Sequence, residues 1–152
     1  MKSRGGTGVQ LMTQRENEIS VLLVEDTQDN RMMMRRLLEL SGYRVSEAVN
    51  GVEAVKAAER EMPNIILMDL SLPIVDGLAA TRRIRQLPDL AEVPIIAVSA
   101  HDTADFHAEA LAAGCDAYIT KPIDYTELED LITDLTRQTA EIEVPIQDHK
   151  GK

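Results

Sequence analysis

The polar residues that could do chemistry in this chain stand where short apolar runs end. Glu25 and Asp26 follow Ser20–Val24, Asp69 follows Ile65–Met68, Ser99 follows Ile95–Val98, and Lys121-Pro122 follows Ala117–Thr120. Taken singly, each has a plain reading. An acid after a strand caps a helix or sits in a solvated turn, and a Lys beside a Pro belongs to a surface loop. Those readings do not explain three carboxylates, a hydroxyl and an ammonium at the ends of four different apolar runs. As a set they are chemically coherent. Clustered carboxylates repel one another and need a cation. An all-oxygen donor set with no His or Cys selects a hard ion such as Mg²⁺, with Mn²⁺ as a substitute. Such an ion with open positions clamps a phosphoryl oxygen, and one carboxylate can then attack phosphorus to give an acyl phosphate. Charge on the three equatorial oxygens of the transition state would be met by the metal, the Lys121 ammonium and the Ser99 hydroxyl.

These residues need a scaffold that brings run ends together. The first run, Ser20–Val24, has no polar alternation and suits a parallel strand buried on both faces. A helix over Asn30–Ser41 follows, capped by Thr27 or Asp29, with Met33, Leu37 and Leu40 on its inner face and Gly42 ending it. Tyr43–Ala48 is a second strand. Val52–Glu61 is a helix stopped by Pro63, with Val55 and Ala58 facing inward. Ile65–Met68 is the third strand, Pro73 and Gly77 punctuate a loop, and Leu78–Leu87 is helical. Ile95–Val98, a helix over Thr103–Ala113 closed by Gly114, Ala117–Thr120, and a last helix over Tyr125–Arg137 complete the pattern. Five strands alternating with five helices imply an α/β fold: a parallel sheet with helices on both faces and right-handed crossovers. In such sheets ligands bind at the carboxyl ends of the strands, where the five polar residues fall.

Composition narrows the functions. The chain has 152 residues, with 26 acidic against 16 basic ones and a formal net charge of −10. That balance, with no basic stripe, disfavours nucleic acid and anionic membrane surfaces. There is no apolar run that could span a bilayer and no signal-peptide pattern, so a cytoplasmic location is expected. Cys115, the lone cysteine, excludes an internal disulfide and is assigned to packing. Met12 is a second candidate start.

The segments VLLVED (Val21–Asp26), IILMDLSLPIVDG (Ile65–Gly77), IIAVSA (Ile95–Ala100) and YITKP (Tyr118–Pro122) together resemble the receiver domains of two-component response regulators. The resemblance spans Glu18–Gln138, framed by flexible tails over 1–17 and 139–152. It implies a flavodoxin-like sheet of order 2-1-3-4-5. It implies that Asp69 accepts the phosphoryl group and that Asp26, Asp69 and the Ser71 backbone carbonyl ligate Mg²⁺, with Glu25 acting through a water. Lys121 would pair with the phosphoryl group, Ser99 would close on it, Tyr118 would be the switch aromatic, and the Lys121–Pro122 bond would be cis. A histidine kinase or histidine phosphotransfer protein would be the phosphoryl partner. A downstream protein would bind the face made by the fourth helix, fifth strand and fifth helix. Too little chain follows Gln138 for an output domain, so a stand-alone regulator is expected. This chain departs from the family pattern in two places: Glu25, where Asp is commoner, and Leu72, where Met is frequent.

Other polar and sulfur-bearing residues have plainer roles open to them. Of the Met32-Met33-Met34 run, Met33 is expected in the core, Met34 beside it, and Met32 outside, as a docking contact or simple surface. His101, with Ser71, lies where it could tune water access. His107 lacks partners for a metal site, and His149 falls in the tail. Three other functions compete. A phosphatase of the haloacid-dehalogenase type would need an Asp where Ser71 stands. A flavin mononucleotide carrier would need a phosphate loop where Asp26-Thr27-Gln28-Asp29 stands. A receiver-like module could also bind partners without phosphorylation.

Overall fold

The computed structural model describes residues 18–72 and 76–151, with residues 139–151 by their backbone only. The tail expected over 1–17, Met12 and Pro73 lie outside the described residues, as does the side chain of His149. The strands are β1 (Ser20–Val24), β2 (Arg44–Ala48), β3 (Ile65–Asp69), β4 (Ile95–Ser99) and β5 (Ala117–Thr120). The helices are α1 (Gln28–Leu40), α2 (Gly51–Glu61), α3 (Gly77–Gln86), α4 (Ala104–Ala113) and α5 (Tyr125–Gly151). All strand pairs are parallel and the order is β2-β1-β3-β4-β5, the flavodoxin-like arrangement.

The unbroken apolar runs have a direct cause: each central strand feeds two cores. Val21, Leu23, Ile65, Leu67 and Ile96 point to a layer closed by Met34 and Leu38 of α1 and Leu128 and Ile132 of α5. Leu22, Val24, Ile66, Met68, Ile95 and Ala97 point to the other, where α2, α3 and α4 contribute Ala54, Ala57, Ala58, Ala80, Ile84 and Ala110. The small residues of α2 let it lie close to the sheet. Cys115 is buried in this second layer against Thr81, and burial pushes its thiol up to about 11, so it is an inert packing group.

Helix starts follow local chemistry. Asn50 accepts from the Glu53 amide at 2.8 Å while the Glu53 carboxylate takes the Val49 amide at 3.1 Å, a reciprocal cap. Asp76 caps α3 through the Ala79 amide, and Thr103 caps α4 through that of Phe106. Gly42 and Gly114, at φ of 96° and 118°, take the left-handed conformation that closes α1 and α4.

Two expectations need correction. The inner face of α1 is not Met33, Leu37 and Leu40. Met33 and Leu40 are exposed, Leu37 is half-buried, and Met34 and Leu38 fill the core. The cause is tertiary. Met34 and Leu38 pack against the strands, and in that orientation Arg31 and Arg35, one turn apart, both pair with Glu47 of β2 at 3.2 and 2.7 Å. The last helix also runs to Gly151, well past Arg137. Once a helix is nucleated, each added residue gains a backbone bond, and Thr139–Val144 contains good helix formers.

Leu38→Ala should therefore cost about 2–5 kcal/mol in urea unfolding. Leu40→Ala should cost no more than about 0.5 kcal/mol. Equal losses would return the inner face of α1 to its sequence-based assignment.

Candidate functional site

The carboxyl edge of the sheet collects the charged groups. Glu25 and Asp69 are buried, Asp26 is exposed, and each offers a carboxylate oxygen lying within 4.8 Å of the others. The register explains the closeness. Val24 pairs with Met68, so Glu25 and Asp69, each the next residue along its strand, emerge side by side. Lys121, from the turn after β5, places Nζ 3.3 Å from Asp69 Oδ2 and 3.6 Å from Glu25 Oε1. Its preceding strand end is tied to β4, where the Lys121 amide donates to the Ser99 carbonyl at 2.8 Å. The Lys121–Pro122 peptide is cis.

Each of the two buried acids is held by a main-chain donor. The Ser71 amide donates to Asp69 Oδ1 at 2.9 Å, and the Thr27 amide donates to Glu25 Oε2 at 3.0 Å. Thr27 is the N-cap of α1 but makes no side-chain cap bond. Its amide serves the acid instead. Burial pushes the Glu25 carboxyl above its ordinary value of 4.5, and the nearby charges of Asp69 and Asp26 push it the same way. The Thr27 amide and the Lys121 ammonium oppose the rise without cancelling it. The donor set is all oxygen and anionic, so it fits a hard divalent cation. Lys121 alone supplies one positive charge among three carboxylates.

Ser99 is wholly buried, and its hydroxyl accepts the His101 amide at 3.0 Å. The carbonyl of the same His101 accepts the Tyr118 hydroxyl at 2.6 Å. One exposed residue thus joins the serine at the end of β4 to the tyrosine of β5. The half-buried Tyr118 ring stacks on His107 at 3.9 Å, and the His107 imidazole meets Asp102 at 3.0 Å. The His101 ring stacks on Phe106. Ser71 is exposed beside Asp69, and Met32 is exposed on α1.

Beyond the acids, Ser99 and Lys121, the site depends on Gly77 and Arg31. A Cβ on Gly77 would stand 2.4 Å from the Asp69 carbonyl oxygen and 2.9 Å from Leu70 Cα, so only glycine lets α3 start against the end of β3. In the sequence Gly77 signals only a loop. Arg31 donates to the carbonyls of Glu25 and Asp26 at 3.0 and 3.4 Å. Its place five residues after Asp26 gives no sign of this. A cavity of about 250 Å³ opens beside Asp69 and Lys121 and runs between α1 and α5 past Met33, Leu37 and Tyr125.

The family model described as response regulator receiver domain matches residues 21–133. The polar-differentiation response regulator DivK of Brucella anthropi is 40% identical over 104 residues, covering 68% of this chain and 85% of that one. Its counterpart in Brucella ovis is 39% identical over the same length. Among solved structures, the receiver domain of a sensor histidine kinase from Pseudomonas aeruginosa PAO1 is 37% identical with a TM-score of 0.74, covering 78% of this chain and 98% of that one. That structure has a magnesium ion coordinated in its active site cleft. The chemotaxis protein CheY4 of Vibrio cholerae, with a TM-score of 0.74, covers 78% of this chain and 98% of its own but is 24% identical, a likeness of fold alone.

The raised Glu25 carboxyl carries a sign. The unfolded chain keeps the ordinary value near 4.5, so in the window above it the folded protein binds the proton more readily. Stability contributed by protonated Glu25 is present at low pH and lost as pH rises through the raised folded value. Glu25→Gln should therefore raise the melting temperature of the metal-free protein at neutral pH, and the gain should shrink as pH falls toward 4.5. A variant that is less stable than wild type at neutral pH would contradict this.

Proposed function

Because the chain belongs to the response regulator receiver domain family, we propose that it is a switch driven by phosphorylation of Asp69. Receiver domains are signalling switches of two-component systems and not enzymes acting on a separate substrate. The observation that carries the proposal is the Lys121 ammonium at 3.3 Å from Asp69 and 3.6 Å from Glu25, within a cluster of three carboxylates. Three like charges, one of them the nucleophile, repel a phosphate donor by several kcal/mol at an effective dielectric of about 20, and that repulsion calls for a divalent cation. Asp26, Asp69 and the Ser71 carbonyl would hold Mg²⁺ or Mn²⁺, with Glu25 reaching it through a water. In that site a divalent ion would supply positive charge to neutralise the phosphoryl oxygens.

The protein's own groups do the rest. A carboxylate oxygen of Asp69 attacks phosphorus in line. The bond from phosphorus to the partner's histidine nitrogen breaks, that nitrogen keeps the electron pair and takes up a proton, and Asp69 becomes an acyl phosphate. Lys121 takes one phosphoryl oxygen and the Ser99 hydroxyl another. The Ser71 amide keeps the nucleophile aimed, and exposed Ser71 and His101 flank the path of hydrolytic water. The donor is a histidine kinase or a histidine phosphotransfer protein, which the apolar cavity between α1 and α5 and the exposed Met32 would help to seat. The downstream partner binds the face of α4, β5 and α5. No helix of the described residues is long and apolar enough to cross a membrane, in keeping with work in the cytoplasm.

Intact mass with acetyl phosphate and Mg²⁺ should show one added phosphate on wild type and none on Asp69→Asn, and excess EDTA should abolish the reaction. Absence of phosphate from wild type would favour a receiver that binds partners without phosphorylation. Equal incorporation in the Asn variant would move the acceptor elsewhere.

A second expectation concerns output. Ser99 and Tyr118 both bond to His101, so a Ser99 hydroxyl drawn toward a phosphoryl group disturbs the Tyr118 contact. Beryllofluoride with Mg²⁺ should shift the NMR signals of the His101 amide and the Tyr118 ring, and Ser99→Ala should remove the ring shift. Tyr118 signals that do not respond in wild type would remove the coupling and leave the phosphorylation chemistry intact.

A further inference from the structure

Arg31 has a plain reading as a staple between α1 and β2, since its Nε meets Glu47 Oε1 at 3.2 Å. That reading leaves its other contacts unexplained. Nη1 donates to the Glu25 carbonyl at 3.0 Å and to the Asp26 carbonyl at 3.4 Å. These belong to the two consecutive residues whose side chains form the acidic pair. The guanidinium is largely buried, with its side chain 16% exposed, and Glu47 is held from its other oxygen by Arg35 at 2.7 Å. The fork is therefore fixed at both ends. Asp26 is different: its carboxylate is exposed and has no hydrogen-bond partner among the described residues. The position from which it reaches is set by the backbone it hangs from, and Arg31 bonds to that backbone.

We propose that Arg31 is a positioning residue for the divalent cation, clamping the Glu25-Asp26 peptides so that both acids converge on Asp69. The proposal rests on the cluster being a cation site, as argued above. Two effects of opposite sign compete. The Arg31 charge repels a divalent ion through space, but Glu47 offsets it and solvent screens what remains at the exposed Asp26 side. Groups that orient metal ligands, by contrast, change affinity by about 10–100-fold when removed. Positioning wins. A lysine keeps the charge but cannot span Glu47 and both carbonyls with one planar fork.

The test is calorimetric titration of the full chain with Mg²⁺ alone, beside thermal melts in EDTA. Arg31→Met and Arg31→Lys should each weaken Mg²⁺ binding about 10–100-fold, and Glu47→Gln should weaken it in the same direction. Arg35→Met also loses the bridge to Glu47 but touches neither carbonyl, and it should bind within about twofold of wild type, which separates aim from general loosening of α1. Wild-type affinity in Arg31→Lys, tighter binding in Arg31→Met, or an equal loss in Arg35→Met would overturn the assignment. A wild type that binds no Mg²⁺ would overturn the cation site itself, and the role of Arg31 with it.

Discussion

Three carboxylates confined to one edge of a stiff sheet are the constraint around which this molecule is built. Like charges at such distances disfavour one another, and two of them are buried, which adds a desolvation cost. A flexible loop would relieve the strain by splaying the acids apart. Here the parallel register of β1 and β3 forbids it for Glu25 and Asp69, because the residues ahead of these two acids are paired Cα to Cα within a core that is apolar on both faces. The folded state is thus held in an arrangement that is electrostatically unfavourable until positive charge arrives.

Several otherwise unrelated features answer that constraint. Lys121 brings a cation from the far side of the sheet. The Thr27 amide leaves the usual duty of a helix start to serve Glu25, and the Ser71 amide serves Asp69. These donors lower the cost of ionisation but do not abolish it, as the upward displacement of the Glu25 carboxyl records. Residual electrostatic frustration is useful in a switch. A site already neutralised by its own lysines would gain little from a metal and a phosphoryl group, and a ligand can shift an equilibrium only by its differential affinity for the two states.

How much of this was legible in the sequence depends on whether the cause was local. Strand runs and the left-handed Gly42 and Gly114 are local signals, and the elements formed close to where those signals stand, whereas the side-chain caps fall at Asn50, Asp76 and Thr103 and not at the expected Thr27 or Asp29. The acids, Ser99 and Lys121 were legible because run ends on a parallel sheet share an edge. The inner face of α1 was not. Met33, Leu37, Leu40 and Met34, Leu37, Leu38 are two apolar stripes on one helix, and the choice between them is made by packing against the sheet, which buries Met34 and Leu38 and leaves Arg31 and Arg35 on Glu47. Arg31 was invisible for the same reason. Arg85 is a further case: it donates to the carbonyls of Leu90, Val93 and Gly114 and pairs with Asp116, tying α3 to the turns around it at the opposite end of the sheet.

The same contrast between stiff and loose parts bears on how a signal would leave the site. The strands are locked by two cores, so a new charge at Asp69 cannot be relayed by bending the sheet. The segment after β4 is different: Ala100, His101, Asp102 and Thr103 are all exposed, with little packing to resist a shift. Yet His101 is not free. Its amide is held by Ser99 and its carbonyl by Tyr118, and the Tyr118 ring lies against His107, which Asp102 holds in turn. A hydroxyl drawn toward a phosphoryl oxygen would therefore pull on a short chain of directional contacts ending at the face of α4 and β5. Hydrogen bonds and ring stacks of this kind are either made or broken, so such a chain would have two arrangements instead of a continuum. The physical division is then clear: the sheet holds the charge conflict in place, and the exposed turn after β4 is where its resolution would become movement.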